Sequence, residues 1–583
     1  MRRRAAPLFS ALAVLLAAAC ARAPLPRTNL AVTPSDARWV EKTLRRLTLA
    51  EKVGQTIACR FAGNFRNLES PELKALRELI VGSRVGGVIL FGGEVYETAS
   101  LTNLFQSWAK LPLLIASDFE RGVGNQVTNA TLFPPLMALG AAGSEDLAYE
   151  MGKATAIEGR AMGVHMTYAP VVDVNVNPLN PIINTRSVGE DPALVSRIAR
   201  AFIRGCQENG MVATAKHYPG HGDTDQDSHT ELPTIAGDRE RLERIELYPF
   251  RQAVEAGVQA IMSSHLFVPA LDPTPGLPAT LSPAIMTDLL RSDLGFKGLL
   301  VTDAMEMAGV TRGFGPEEAA KRAILAGIDM VLLPPEPARV ATYLVAEARA
   351  GRLPVKRLDE AVRRILTVKA RLGLPRQRFV EIGALATRIA PPARLAQAWK
   401  TFEAAVTLVR NEGDVLPLSP GKRLSILSLS SDPGDYFAGR AFVQEMVKRH
   451  PGSAGFYADG DTGQEALDEA VEKAAAADAV VIALFSRLSA GKGSVDLEPK
   501  HVALIQKLAA ATPPVIVLSF GSPYFLRHFP EVDAYVCLYR NTPETQPIAV
   551  RALCGELEVG GQLPVSLPGL YPVGHGLVLK KAR

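Results

Sequence analysis

Eight short apolar runs recur through the first part of the chain, each followed by a stretch long enough to hold a helix. They span 54–61, 85–91, 112–117, 164–171, 211–216, 259–264, 298–303 and 328–333. Amphipathic segments at 71–81, 146–162, 192–209 and 317–326 lie between them, with apolar residues at helical spacing. Strand-sized runs alternating with helices predict parallel strands joined by crossovers. Eight such units in about 320 residues fit a closed (β/α)8 barrel. An open doubly wound sheet is the alternative that the pattern alone leaves.

Polar residues collect at one end of these runs. Asp118 follows the third and Asp173 the fourth. Lys216 and His217 end the fifth, His265 follows the sixth, and Asp303 ends the seventh. Barrel enzymes build their sites at the C-terminal ends of the strands, so this edge is the expected site. A helical stretch at 358–372 closes the region, which we assign to residues 36–375. Residues 376–400, with Gly383, Pro391 and Pro392, read as a linker. Four more buried runs at 424–429, 479–485, 514–520 and 534–539 then predict a smaller α/β sandwich domain over 401–583, with a mainly parallel sheet.

The N-terminus has a different character. Arg2, Arg3 and Arg4 precede an apolar run from about Leu8 to Ala19, and Cys20 follows. A basic start, a short apolar stretch and small residues describe a secretory signal over 1–20. Its L-L-A-A-A-C ending resembles a bacterial lipoprotein signal, which implies lipid on Cys20 and an exported, membrane-anchored protein facing the periplasm or cell exterior. Residues 21–35, with several Pro, Arg and Thr, read as a tether. Net charge is only +4 over 583 residues, with no basic stripe interleaved with aromatics, so nucleic acid is not an expected partner. The remaining cysteines, Cys59, Cys206, Cys537 and Cys554, have no metal-site spacing and read mostly as buried small hydrophobes.

The densest chemistry lies in K-H-Y-P-G-H-G-D-T-D-Q-D-S-H, Lys216 to His229, which holds three of the nine histidines. His217, His221 and His229 with Asp223 or Asp227 make a possible zinc set, but their spacing follows no helix face. Asp227 and His229 flank Ser228 and can turn toward each other. A carboxylate on one imidazole nitrogen fixes the tautomer and leaves the other nitrogen to carry a proton. Asp303, at the end of an apolar strand, is a candidate for the missing nucleophile. A carboxylate nucleophile with a separate proton donor is the plan of a retaining glycosidase. Strand-end capping or a salt bridge is the plain alternative for Asp303.

These motifs resemble those of glycoside hydrolase family 3, in its β-N-acetylglucosaminidase branch. The Lys216–His229 loop with its D-S-H end is similar to that branch's diagnostic loop. A-S-D-F-E-R-G, N-P-L-N-P-I-I-N-T-R-S-V-G-E-D-P, V-T-D-A-M-E-M and R-N-E-G-D-V-L-P-L match further motifs in order. The resemblance implies an exo-acting retaining β-N-acetylglucosaminidase acting on a carbohydrate substrate, without cofactor or metal. Peptidoglycan fragments or chitooligosaccharides are the expected source. By the same resemblance Asp303 attacks the anomeric carbon, and His229 acts as acid and base, oriented by Asp227. Asp118, Arg186, Lys216 and His217 hold hydroxyls of the terminal sugar. A structural ion pair with Glu190 or Asp191 is the alternative for Arg186. His221 and Asp223 are left to shape the loop.

Two positions depart from the family pattern: Arg121 stands where glycine is usual, and Gln126 where arginine is usual. A family 3 β-glucosidase or β-xylosidase would draw its acid from a second-domain glutamate, which the Asp227–His229 pair argues against. A phosphorylase is the subtler alternative, since histidine does not repel incoming phosphate as a carboxylate would. A non-catalytic cell-wall-binding lipoprotein is the alternative from another class. A flexible loop at Ser489, Gly491 and Gly493 reads as plain surface.

Overall fold

The computed structural model describes residues 30–435, 438–486, 497–510 and 513–582. Cys20 and the Ser489–Gly493 loop lie outside these residues. Eight parallel strands close into a barrel: β1 (Ile57–Gly63), β2 (Gly87–Gly93), β3 (Leu114–Ser117), β4 (Met166–Thr167), β5 (Val212–Tyr218), β6 (Ala260–Ser263), β7 (Leu299–Ala304) and β8 (Met330–Leu332). Each lies within or overlaps one of the eight apolar runs. Closure is explicit, because Ile57 pairs with Val331 and Ala58 with Leu332. The open-sheet alternative is thereby excluded.

Period-two alternation explains both the core and the mouth of the barrel. Ala58, Ile89, Leu114, Ala116, Met166, Tyr168, Val212, Ala260, Met262, Leu299, Val301, Met330 and Leu332 form one interior cluster. Leu30, Ile365, Val368, Leu372 and Leu374 join it from the floor. Two residues beyond an interior residue, the same parity points into the mouth. That rule carries Ala116 to Asp118, Val301 to Asp303, Ala58 to Arg60 and Ile89 to Phe91.

Helices pack outside the strands, and their ends are set by local chemistry. The helix Pro192–Glu208 starts with proline at its first position, and Asp191 accepts from the backbone N–H groups of Ala193 (3.0 Å) and Leu194 (3.2 Å). Asp191 is therefore a helix cap and no partner of Arg186. Pro392 likewise opens a helix, Pro392–Ala405, inside the segment that reads as linker. A proline at the first helical turn costs no hydrogen bond, so the same residue that suggests a break can begin a helix.

The second domain holds a six-stranded sheet in the order β11-β10-β12-β13-β14-β9. Four strands match the expected runs: β10 (Leu424–Ser430), β12 (Ala479–Phe485), β13 (Val515–Ser519) and β14 (Ala534–Cys537). β9 (Thr407–Asn411) pairs antiparallel at one edge, and β11 (Ala454–Ala458) lies at the other. These edge strands are short, and β11 is largely accessible, so neither has a continuous apolar run. The two domains share a core: Met137, Ala138 and Ala141 of the barrel pack with the second sheet. Polar contacts reinforce it. Glu190 accepts from the backbone N–H (2.8 Å) and hydroxyl (2.9 Å) of Ser566, and Asn175 Nδ2 donates to the Tyr524 hydroxyl (3.0 Å).

Candidate active site

Every residue assigned to the site from sequence, apart from the buried Asp227 and the undescribed Cys20, lines one cavity of about 400 Å³ at the C-terminal mouth of the barrel. Asp227 stands directly behind His229. The cavity gathers site residues from β5, β7 and the loops after β3, β4 and β5, which sequence separates widely.

A charge cluster forms one wall. Lys216, only 2% exposed, donates from Nζ to Asp118 Oδ1 (2.8 Å) and Glu120 Oε1 (2.7 Å). Arg186 grips Glu120 with two bonds, Nε to Oε2 (3.0 Å) and Nη2 to Oε1 (2.7 Å). Two cations thus face two carboxylates, which is how charges persist in a buried site. Burial alone would raise the Glu120 carboxyl pKa, but Arg186 and Lys216 hold it well below the usual range. Burial would likewise lower Lys216, and Asp118 and Glu120 keep it raised and charged. Glu190 is taken up by Ser566 and Asp191 by its helix, so Arg186 belongs to this cluster and to neither of them.

His217 is set by a second, deeper carboxylate. Its Nδ1 donates to Asp173 Oδ2 (2.7 Å) and its backbone N–H to Asp173 Oδ1 (3.1 Å). That assignment leaves Nε2 as an acceptor, 3.4 Å from Arg186 Nη2. Asp173 is fully buried; burial pushes its pKa up, but His217 and His221 bring it below the ordinary value.

The loop after β5 folds back through its glycines. Gly220 takes φ +130°, a region that favours glycine. Gly222 lies so close to the segment after β4 that a Cβ would sit 1.8 Å from the Val174 carbonyl oxygen. Asn180 Nδ2 then donates to the carbonyls of His221 (2.9 Å) and Gly222 (3.2 Å). His221 spends its Nε2 on the Ser228 hydroxyl (2.9 Å), and Asp223 pairs with Arg241 Nη2 (2.7 Å). Burial pushes His221 down to about 4, so it is neutral near pH 7. Both residues shape the loop. Among the described residues, no cluster of three or more His, Cys, Asp or Glu side chains is arranged to hold a metal.

At the loop's far end Asp227, nearly inaccessible, accepts from His229 Nδ1 (2.8 Å) and from the His229 backbone N–H (2.9 Å). The His229 side chain is 39% exposed, so its other nitrogen is free to face the cavity. Gly309 N–H donates to the Ser228 carbonyl (3.3 Å), which ties this loop to the segment after β7. That segment carries Asp303. Its Oδ1 accepts from the Ala304 N–H (2.8 Å). Burial would raise Asp303, yet His217, His265 and the Ala304 N–H bring it below the ordinary carboxylate value. It is therefore an ionised carboxylate at neutral pH. His265 steadies this turn by bonding the Ala304 carbonyl (3.1 Å) and Thr280 (2.9 Å).

Sequence reasoning assigned no role to Glu120, to Asp173 as a support, or to Arg60. Glu120 stands two residues beyond Asp118, and Arg60 is the one charge inside the first apolar run, so strand parity was the signal for Arg60. Of the two departures from the family pattern, Gln126 lines the cavity and accepts from the Gly92 N–H through Oε1 (3.0 Å). Arg121 sits at the domain boundary, where burial and nearby Arg540 push its pKa down to about 9, against the pull of Glu120 and Glu544.

The family models for the glycosyl hydrolase family 3 N-terminal and C-terminal domains match residues 48–368 and 406–571. A β-N-acetylglucosaminidase/β-glucosidase from Cellulomonas fimi is 30% identical over 549 residues, covering 90% of this chain and 95% of that protein. The solved family 3 β-N-acetylglucosaminidase from Paenibacillus sp. str. FPU-7 superposes with a TM-score of 0.79 at 33% identity, covering 89% of this chain and 99% of the other. A solved β-glucoside phosphorylase, BglX, gives 0.82 at 28% identity, covering 92% and 97%. Two family domains matched in order along most of the chain make it a glycoside hydrolase that belongs to glycosyl hydrolase family 3.

Proposed function

We infer that the protein is an exo-acting, retaining β-N-acetylglucosaminidase that removes terminal β-linked N-acetylglucosamine. The observation that carries this reading is one cavity that joins an ionised carboxylate, Asp303, to an imidazole backed by a buried carboxylate, His229 with Asp227. Asp118, Arg186, Lys216 and His217 hold hydroxyls of the terminal sugar at the closed end. An Asp303 oxygen bonds to the anomeric carbon as the bond to the leaving oxygen breaks. His229 gives its proton to that oxygen, while Asp227 stabilises the imidazolium. The now neutral His229 then takes a proton from water, the hydroxide oxygen displaces Asp303, and the configuration at the anomeric carbon is restored. Similarity over nearly full length to proteins named for this activity supports the sugar assignment.

The natural substrates on this reading are peptidoglycan fragments or chitooligosaccharides. The basic, apolar and small-residue pattern before Cys20 supports export and anchoring by lipid on that cysteine. Because the proton donor is a histidine, phosphate in place of water is a second reading, and the likeness to a phosphorylase favours keeping it. Turnover of an aryl N-acetyl-β-glucosaminide by Asp303→Asn tests the core claim. A loss of about a thousandfold or more is expected, with the wild type releasing the β-anomer first. Full activity in the variant, or release of the α-anomer, would overturn it. Sugar 1-phosphate accumulating in phosphate buffer would replace hydrolysis by phosphorolysis.

A further inference from the structure

The helix Pro34–Arg46 carries two carboxylates and four cations, and they do not pair with one another. Both carboxylates are spent on distant arginines: Asp36 pairs with Arg376 (3.0 Å) and Glu41 with Arg363 (2.7 Å). Arg38, Lys42, Arg45 and Arg46 are all exposed, and none forms an ion pair among the described residues. At 3.6 residues per turn the four fall on one face about 100° wide. Val40 and Leu44, on the opposite face, pack against Val362, Leu366 and Ala370 of the helix Val355–Arg371. That second helix crosses the barrel floor. Its Ile365 and Val368 join the interior cluster, Arg357 donates to the Ile328 carbonyl (2.7 Å) before β8, and Lys369 reaches Gln55 (2.6 Å) before β1. Helix stability does not account for the cationic face. Arg38 with Lys42, and Lys42 with Arg46, are like charges at i,i+4 spacing, which oppose helix formation. Arg45 and Arg46 suit the helix's C-terminal end, but Arg38 and Lys42 stand too early for that.

We propose that this face docks on the anionic phospholipid headgroups of the membrane that carries the protein. This rests on the reading of Cys20 as the lipid-bearing residue. Ten positions separate Cys20 from Leu30, which is buried in the barrel floor. Such a segment spans at most about 35 Å, so lipid on Cys20 holds the floor near the headgroups. No acidic residue occurs from Cys20 to Ser35, whereas Arg22 and Arg27 add two more cations by sequence. Each cation near an anionic leaflet strengthens binding roughly fivefold. An acyl anchor with a basic patch beside it is a pairing that holds a protein at a lipid surface. Docking by the floor directs the opposite end of the barrel, where the cavity opens, away from the membrane and toward polymeric substrate outside it.

The test uses the full lipid-bearing chain in vesicles of phosphatidylcholine, with or without about one third phosphatidylglycerol. Lys42 is the reporter, and its acetylation rate is read by mass spectrometry against that of Lys448, a 79% exposed lysine of the second domain. The Lys42 rate, relative to Lys448, is expected to fall about fivefold or more in the phosphatidylglycerol vesicles. The effect should fade in about 0.5 M salt. It should also vanish in the triple variant Arg38→Gln, Arg45→Gln, Arg46→Gln, whose turnover of an aryl N-acetyl-β-glucosaminide stays at the wild-type level. Equal rates in the two vesicle types, or protection that survives the triple variant, overturns the proposal. Protection by soluble polyglutamate but not by phosphatidylglycerol assigns the face to an acidic polymer and also overturns it. The mass of the N-terminal peptide reports separately on the anchor. Without lipid on Cys20 the anchor reading falls, and cosedimentation of the free chain then decides the face: binding to phosphatidylglycerol vesicles alone sustains it, and no binding overturns it.

Discussion

Glu120 offers the sharpest test of how the site is held. It accepts three bonds from two cations, two from Arg186 and one from Lys216. Glu120→Gln keeps the shape but removes the charge, so the four-residue cluster of Asp118, Glu120, Arg186 and Lys216 goes from balanced to one net positive charge. It also turns one acceptor into an NH2 group that faces a donor. Each hydrogen bond to a charged group contributes about 1.5–3 kcal/mol, and breaking a buried pair costs about 3–5 kcal/mol. Arg186 and Glu120 retain 26% and 14% exposure, which places the cost at the lower end. About 3 kcal/mol lost from the clamp in the transition state corresponds to roughly a hundredfold in kcat/KM. The assay is steady-state kinetics on an aryl N-acetyl-β-glucosaminide with Glu120→Gln, Arg186→Gln and the double variant. Because the two side chains act as one unit, the double variant should be no worse than the poorer single, with coupling of about 1.5–3 kcal/mol. Glu190→Gln, which touches Ser566 outside the cluster, should stay within a few-fold of wild type. Purely additive losses, or a single loss under about threefold, would refute the reasoning.

Asp227→Ala leaves His229 Nδ1 without its carboxylate and should lower kcat by about a hundred- to ten-thousandfold. Asp223→Ala only loosens the loop at Arg241 and should cost about tenfold or less; equal losses in the two would contradict their separate roles. Lys369 is fully buried at the barrel floor, bonded to Gln55 Oε1 (2.6 Å), and burial pushes it down to about 7. Its folded-state pKa lies below the unfolded value near 10.4. Between these values the unfolded chain binds more protons, so stability rises with pH by about 1.4 kcal/mol per unit; below pH 7 the burial penalty is complete. Denaturant midpoints at pH 7 and 9.5 should therefore show wild type gaining on Lys369→Met as pH rises. Parallel pH curves for the two proteins would rule this out.

The barrel was legible because its signal is local. Parallel strands buried on both faces need continuous apolar runs, and each run is bounded by its own helix and turn residues. The edge strands β9 and β11 were not legible, since an edge strand needs no such run. Half of the site was legible for the same reason as the barrel. Asp118, Lys216 and Asp303 stand at strand ends, where alternation alone aims them into the mouth. Asp227 and His229 are two residues apart, so their contact is a local event. The partners of those residues were not legible. Arg186 has Glu190 and Asp191 close by in sequence, yet it bonds Glu120, sixty-six positions away, because barrel closure brings β3 beside the loop after β4.

By itself, the chain's order of residues determined the repeating strand–helix unit, the edge of the barrel where polar groups collect, and the contact between Asp227 and His229. Those features depend on alternation, short-range turns and neighbouring side chains. Only the tertiary structure decided which charges neutralise one another. A buried cation must find a carboxylate at about 3 Å, and several stand equally near along the chain. The closed ring of strands selects among them: it pairs Arg186 and Lys216 with Glu120, and Arg60 with Glu306.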